Sequence, residues 1–369
     1  MRCWGRGDLG QLGYGNTSNI GDNELPASAG DINVGDPVKQ IALGESHTCA
    51  LLTNGAVRCW GSSWSGVLGY GDNSQIGDNE PPASAGYVNV GGPAQQIAAG
   101  SAHTCVLLTS GRVRCWGYGA EGRLGYGNTN TIGDNEFPAF AGDVDLGGSI
   151  VKQIGLGRGH TCALVSTGPV RCWGRALWGE IGYGTMANNG DYESPATAGE
   201  VNVGGAVQQL AVGPSHTCAL LTSGATRCWG YSGDGQLGYG NYENIGDDEH
   251  PVSAGDVNVG SPVRQLVAGS AHTCALLTTG AVRCWGKAES GQLGYGNTTE
   301  NRTPASAGNV NVGGTVQQLA AGFAHTCALL TTGAVRCWGD NFYGQLGYGN
   351  TNNIGDNETP ASAGDVPFM

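Results

Sequence analysis

Val38-Lys39-Gln40-Ile41-Ala42-Leu43-Gly44-Glu45-Ser46-His47-Thr48-Cys49-Ala50-Leu51-Leu52-Thr53-Asn54-Gly55-Ala56-Val57-Arg58-Cys59-Trp60-Gly61 holds three short apolar runs punctuated by glycine. Runs of this length, rich in β-branched and aromatic residues, read as strands. The runs beginning at His47 and at Ala56 are joined by Thr53-Asn54-Gly55, and other copies of the stretch carry Thr-Ser-Gly, Ser-Thr-Gly or Thr-Thr-Gly there. A three-residue loop ending in Gly suits a type I turn followed by a left-handed residue, so the pair forms a tight antiparallel hairpin. Val-x-Gln-Ile/Leu supplies a third strand, and Ala-Gly-Asp-Ile/Val-Asn-Val, as at Ala29 to Val34, is expected to supply a fourth.

The unit recurs. Arg-Cys-Trp-Gly begins at Arg2, Arg58, Arg114, Arg171, Arg227, Arg283 and Arg336, spaced by 56, 56, 57, 56, 56 and 53 residues. A period of this size marks an array or propeller, in which a repeat buries its apolar face only against its neighbours. Four strands in each of seven units predict an all-β, seven-bladed β-propeller of four-stranded antiparallel blades, a single domain over 1–369.

The recurring string H-T-C-A-L-L-T-x-G-x-V-R-C-W-G-x-x-x-x-G-Q-L-G resembles the regulator of chromosome condensation repeat, most closely in its bacterial, cysteine-bearing, secreted form. That resemblance implies a seven-bladed propeller and leaves the function open, because the fold hosts exchange factors, photoreceptors, inhibitors and adhesive modules. Members that sense ultraviolet-B carry Gly-Trp-Arg-His-Thr. Here the two residues before His-Thr are Glu45-Ser46, Ser101-Ala102, Arg158-Gly159, Pro214-Ser215, Ser270-Ala271 and Phe323-Ala324, so photoreception is disfavoured and the Arg-Cys-Trp-Gly tryptophans read as core.

One blade is expected to be incomplete. Met1 stands where Val57 stands in the next copy, and seven Arg-Cys-Trp-Gly strands face six His-Thr-Cys strands. This fits a piece of a longer protein, or an open blade that takes a strand from another molecule; otherwise the chain is read as a monomer.

The thirteen cysteines obey the same count. Within each complete hairpin two lie ten residues apart: Cys49 and Cys59, Cys105 and Cys115, Cys162 and Cys172, Cys218 and Cys228, Cys274 and Cys284, Cys327 and Cys337. A three-residue loop sets residue 52 opposite 56 and hence Cys49 opposite Cys59, in the closely approaching, non-hydrogen-bonded kind of pair. Six disulfides are predicted, with Cys3 left as a free thiol, and they imply an oxidising, extracellular or cell-surface setting. The alternatives are small buried hydrophobes in a reducing compartment, or zinc, for which two cysteines and a histidine per hairpin fall short of four clustered ligands.

Positions that recur in every copy serve the shared fold, whereas those that differ are free to serve a partner. His47, His103, His160, His216, His272 and His325 recur, and each is expected to bond backbone in its own blade. Arg58 and its equivalents face away from the cysteines and need carbonyl or carboxylate partners, for which Asp31, Asp143, Asp256 and Asp365 are candidates. The acidic runs such as Asp78-Asn79-Glu80 and Asp247-Asp248-Glu249 suit turn chemistry, with calcium as the alternative to an assignment of no cofactor. The variable elements are the pair before His-Thr and the four residues after Arg-Cys-Trp-Gly, which leave a hairpin at the same end. They carry the candidate partner-binding residues Trp64, Tyr118, Arg175, Trp178, Tyr231, Phe323, Phe342 and Tyr343. Arg6-Gly7-Asp8 spells an adhesive tripeptide but fills an ordinary loop position.

With 30 Asp and Glu against 17 Lys and Arg, the net charge of −13 lacks the basic surface that phosphate neutralisation requires, which excludes nucleic acid. No apolar run is long enough to insert in a membrane. No nucleophile constellation stands apart from the repeat, so the chain is not read as an enzyme. The expectation is a module binding a macromolecule, a protein before others. The alternatives are a carbohydrate-binding module using Trp64, Trp178, Tyr231 and Tyr343 as stacking platforms, and an architectural repeat of a larger surface protein.

Overall fold

The computed structural model describes residues 1–368. They divide into two compact units. One comprises Met1–Asn19, Gly30–Leu177 and Met186–Val201; the other Ile20–Ala29, Trp178–Thr185 and the chain from Asn202 onward.

Each unit holds three antiparallel sheets of three strands. In the first they are β1 (Val38–Leu43), β2 (His47–Leu52) and β3 (Val57–Gly61); β4 (Ala94–Ala99), β5 (His103–Leu108) and β6 (Val113–Gly117); and β7 (Val151–Leu156), β8 (His160–Val165) and β9 (Val170–Gly174). In the second they are β10 (Val207–Val212), β11 (His216–Leu221) and β12 (Thr226–Gly230); β13 (Val263–Ala268), β14 (His272–Leu277) and β15 (Val282–Gly286); and β16 (Val316–Ala321), β17 (His325–Leu330) and β18 (Val335–Gly339).

The hairpin forms as its residues dictate. Leu52 N–H donates to Ala56 C=O at 2.9 Å, Gly55 N–H to Leu52 C=O at 3.0 Å, and Gly55 takes φ +84°, which a side chain would resist. That loop sets the register Leu51↔Val57, Cys49↔Cys59 and His47↔Gly61, repeated in all six hairpins.

Alternation then divides the side chains. Cys49, Leu51, Val57 and Cys59 share a face and join the cluster containing Ile97, Val106 and Leu108 of the next sheet. Ala50, Leu52 and Trp60 take the other face and pack on Ile32 and Val34 of the preceding repeat. With neighbours on both sides, all six residues of β2 are buried.

The expected seven blades of four strands are six sheets of three. The Ala-Gly-Asp-Val segment lies beside the third strand but makes one ladder bond, Val88 N–H to Val57 C=O at 2.9 Å, and then curls, Val90 N–H closing on Val88 C=O at 3.0 Å. Such a three-residue turn ends pairing. A tyrosine takes the vacated place. The Tyr126 hydroxyl accepts from Cys115 N–H at 3.1 Å and lies 3.2 Å from both Cys115 C=O and Gly142 C=O, satisfying the backbone groups that a fourth strand would have paired. Among the described residues the Arg-Cys-Trp-Gly copy at Arg2 enters no sheet, having no His-Thr-Cys strand of this chain beside it; Tyr14 nevertheless bridges Cys3 in the same manner.

Tyr126→Phe is therefore expected to destabilise its unit by about 1–3 kcal/mol, since buried backbone groups lose their partner. Urea unfolding of the variant beside wild type measures it; equal midpoints would mean that water replaces the hydroxyl without cost.

The histidine expectation is corrected. His47 Nε2 meets Thr104 Oγ1 of the next sheet at 2.9 Å rather than backbone of its own sheet, and His103–Thr161, His216–Thr273 and His272–Thr326 repeat the contact at 2.8 to 2.9 Å. Each threonine hydroxyl gives its one proton to a carbonyl, as Thr104 does to Val67, so it accepts from the imidazole. The same Val67 carbonyl receives Trp116 Nε1–H at 2.9 Å. A second link joins the first strands of neighbouring sheets: Gln40 Nε2 donates to Ile97 C=O at 2.9 Å while Ile97 N–H donates to Gln40 Oε1 at 3.2 Å. Gln96, Gln209 and Gln265 do likewise.

Candidate functional site

The hairpin geometry that places the cysteines also brings the variable segments together. The six predicted disulfides are all present: Cys49 to Cys59, Cys105 to Cys115 and Cys162 to Cys172 in the first unit, and Cys218 to Cys228, Cys274 to Cys284 and Cys327 to Cys337 in the second. Their Cα atoms lie 4.0 to 4.1 Å apart, the spacing of a directly opposed cross-strand pair. Neither buried free thiols nor a shared zinc therefore accounts for Cys172, Cys228, Cys284 and Cys337, each of which is bonded to the cysteine facing it. Cys3 is a free thiol pushed up to about 12 by burial.

At the end of each hairpin beyond its bridge, Ser62 N–H donates to Ser46 C=O, Tyr118 to Ala102 and Arg175 to Gly159 in the first unit; Tyr231 to Ser215, Lys287 to Ala271 and Asp340 to Ala324 in the second, all at 2.8 to 2.9 Å. Each strand exit thus lies beside the pair preceding its histidine.

Not every residue of the exit loop faces outward. The second position, Gly7, Ser63, Gly119, Ala176, Ser232, Ala288 or Asn341, is buried in every loop, which accounts for its small side chain or amide. The residues predicted to bind a partner are all at least partly exposed, and the structure gathers them in groups. In the first unit Trp64, 60% exposed, lies 5.1 Å from Tyr118, centroid to centroid, at 47°. The Arg123 guanidinium sits 5.0 Å from the Tyr118 ring and pairs with Glu121 at 2.5 Å. Arg175 enters this neighbourhood through its backbone bond to Gly159, whose own Cβ, were it present, would lie 3.2 Å from that of Arg175.

In the second unit Trp178 and Tyr231 stand 5.0 Å apart at 45°. Phe342 and Tyr343 meet edge to face at 4.9 Å, with Phe342 and Phe323 exposed. Glu121 and Arg158 belong to the variable elements without having been singled out as partner-binding residues, and Arg123 lies outside those elements. The available signal was Arg123 standing where other copies of G-Q-L-G have glutamine.

The remaining motifs resolve as structure. Arg6 and Asp8 pair with each other at 2.7 Å and hold the Asp8 carboxyl below the usual range, so the tripeptide closes on itself. A Cβ on Gly7 between them would run into Ser18 C=O. The acidic runs are turns: Glu80, Glu193 and Glu249 each accept the N–H of the glycine three residues earlier, at 3.3 to 3.4 Å. Their Gly-Asp backbone packs against an exit-loop glycine, as Gly77-Asp78 does against Gly10. At Asp247, Asp248 and Glu249 ligand oxygens lie within 4.8 Å of one another, and burial, then Asp248, pushes Glu249 up to about 7. The Arg-Cys-Trp-Gly arginines find both kinds of expected partner: Arg114 bonds Asp143 at 2.8 Å and Val90 C=O at 2.8 Å, and Arg336 bonds Asp365 at 2.8 Å and Val312 C=O at 2.6 Å. Arg2 and Arg227 use Asp31 and Asp256, whereas Arg283 uses Asn309.

Comparison with known proteins fits this geometry. The model of the regulator of chromosome condensation (RCC1) repeat matches residues 38–66, 94–123, 151–176, 207–236, 263–292 and 316–345, and a second model of the same repeat matches 3–51, 224–276 and 279–329. The ultraviolet-B receptor UVR8 of Arabidopsis thaliana is 30% identical over 348 residues, 94% of this chain and 74% of the receptor. The chain belongs to the RCC1 repeat family. The E3 ubiquitin-protein ligase HERC2 of Homo sapiens is also 30% identical over 355 residues, but the match spans 7% of that ligase. Among solved structures, yeast RCC1 (Prp20) bound to Kap60 superposes with a TM-score of 0.76 at 20% identity, over 97% of this chain and 82% of that one. Human WBSCR16 gives 0.76 at 18% identity, over 99% and 93%. These likenesses establish an all-β, propeller-like RCC1 fold. Binding to Gsp1p and histones is described for the yeast protein.

Proposed function

We propose that this RCC1-repeat chain is a non-enzymatic, secreted or cell-surface module that recognises a protein through the loops leaving Arg-Cys-Trp-Gly. The observation that carries the reading is where the aromatics lie. Six tryptophans of the repeat motif are fully buried, whereas Trp64, Phe323 and Phe342 are 60 to 69% exposed and sit on the exit loops or beside them. Large aromatics held by neighbouring rings lose little conformational freedom on binding, which suits them to anchor an interface. Related propellers that bind proteins, such as yeast Prp20 with Kap60, support the class of partner. Six disulfides support the oxidising setting. Among the described residues no helix is long and apolar enough to cross a membrane.

The carbohydrate alternative draws less support. Sugar platforms are flat, whereas Trp64–Tyr118 and Trp178–Tyr231 are tilted at 47° and 45° and cover part of each other.

Capture from the protein's native surroundings, compared between wild type and the Trp64→Ala/Trp178→Ala double variant, tests the reading. A protein retained by the first and reduced at least tenfold in the second is expected. Equal retention would remove these residues from the surface, and glycan-array binding lost on Trp64→Ala would favour the carbohydrate alternative.

A further inference from the structure

A recurring side chain shapes the exit loops. In the first, fifth, sixth and seventh loops Leu9, Asp234, Ser290 and Tyr343 donate N–H to the side-chain oxygen of Gln11, Gln236, Gln292 and Gln345 at 2.8 to 3.0 Å. In the fourth, Glu180 does the same for Trp178 at 2.8 Å. The equivalent residues of the second and third loops are Val67 and Arg123, neither of which has an acceptor to offer.

Those two loops take another path. Ser65 adopts φ 56°, ψ 33° and Glu121 φ 61°, ψ 12°, and among the described residues they are the only non-glycine residues at positive φ. A side chain resists this conformation, and its occurrence twice, at one loop position in adjacent repeats, follows from the lost acceptor. The altered loops carry Trp64 and Tyr118. Arg123 turns its guanidinium instead to Ala120 C=O at 2.9 Å, Arg158 C=O at 3.1 Å and Glu121, lying against the Tyr118 ring that supports Trp64.

The charge here runs against the rest of the molecule. In a chain of net charge −13, Arg123, Arg158 and Arg175 share this neighbourhood, and the Glu121 carboxylate is taken up by Arg123. Arg158 is exposed at its edge.

We propose that loops 62–66 and 118–123, with Arg158, dock an acidic segment of another protein that carries a large apolar side chain. The Trp64 and Tyr118 rings receive the apolar group, and Arg158 faces its carboxylate. Complementary charge steers such a segment to a basic spot on an acidic surface. The inference rests on the protein-binding reading above and fixes where that binding occurs and what it selects.

The test is selection of a phage-displayed random dodecapeptide library on the disulfide-intact chain, with affinities of the selected peptides measured by fluorescence anisotropy. The peptides are expected to pair Asp or Glu with Trp, Phe or Leu. Val67→Gln, which restores the missing acceptor beneath the surface without removing an exposed side chain, is expected to weaken them at least tenfold, as is Arg158→Glu; Phe140→Ala, at an exposed residue outside the exit loops, is expected to leave them unchanged. Gln is already accommodated at 11, 236 and 292; should Val67→Gln fail to fold, Arg123→Gln makes the same exchange in the third loop. No enrichment over an unrelated protein, peptides without acidic bias, or unchanged affinity in either the loop-restoring or the Arg158 variant would overturn the proposal. If the selected peptides then lose affinity on Trp178→Ala or Phe342→Ala, the protein-binding reading stands and only its location fails. Indifference to every exit-loop variant removes both.

Discussion

Between pH 7 and pH 4 the folded chain is expected to lose on the order of 10 kcal/mol of stability to four buried histidines. Burial lowers His47 and His216 to about 4 and His272 to about 3, and lowers His103 well below its ordinary value. Each gives its Nε2–H to a threonine of the next sheet, and in His103, His216 and His272 the buried Nδ1 has no partner, so a second proton would find nothing to receive it. The unfolded chain has no such restraint. Its imidazoles take up protons as the pH falls through about 6.5, while the folded ones stay neutral until about 4. Stability from these groups is therefore complete above pH 6.5 and drains away over that window, at about 1.4 kcal/mol per unit for each. Denaturant midpoints of the oxidised chain at pH 7, 6, 5 and 4 measure it. A midpoint that does not fall over this range would mean that water or backbone reaches Nδ1 in the native state.

Removing a single disulfide is expected to cost its unit about 2–3 kcal/mol, and removing all three in a unit to leave that unit marginal. Each bridge closes a loop of ten residues inside one hairpin, as between Cys105 and Cys115, so its effect comes chiefly from the entropy denied to the unfolded chain. The bridges lie in different sheets, which favours additive losses. Chemical denaturation of the Cys105→Ser, Cys115→Ser double variant beside wild type measures one bridge, and an unchanged midpoint would show the hairpin equally restrained without it. The cysteines of that bridge are fully buried, so reductant acts only on opened molecules. Alkylation without reductant is expected to label no thiol rapidly in the native chain, since burial raises Cys3, and one after denaturation. Labelling of thirteen would refute the bridges and with them the extracellular proposal.

Much of the hairpin was legible because it is governed over a few residues. Thr53-Asn54-Gly55 sets the loop length, the loop sets the register, and the register decides which cysteine meets which. Arg114 also announced its needs, since a guanidinium between packed sheets must find a carbonyl and a carboxylate, and Val90 and Asp143 supply them. The fourth strand was misread for an instructive reason. Ala-Gly-Asp-Val-Asp-Leu has the alternation of a strand, but whether it pairs depends on Tyr126, sixteen residues before Gly142, reaching the backbone of Cys115 first. His47 was assigned to its own sheet because its true acceptor, Thr104, lies 57 residues away. Exit loops were legible as variable, yet their shape turned on a residue read as part of an invariant motif, where Val67 and Arg123 replace glutamine.

Local covalent geometry and period-two burial were enough to specify the hairpins, the bridges and the end at which each hairpin releases its variable segments. Packing between sheets decided the rest: which carbonyl a histidine finds a threonine in front of, where a tyrosine hydroxyl displaces a strand, and which loops bend to set Trp64 beside Tyr118. The division is physical, for a turn of three residues has few conformations to choose among, whereas a side chain's partner fifty residues away exists only once the chain has folded.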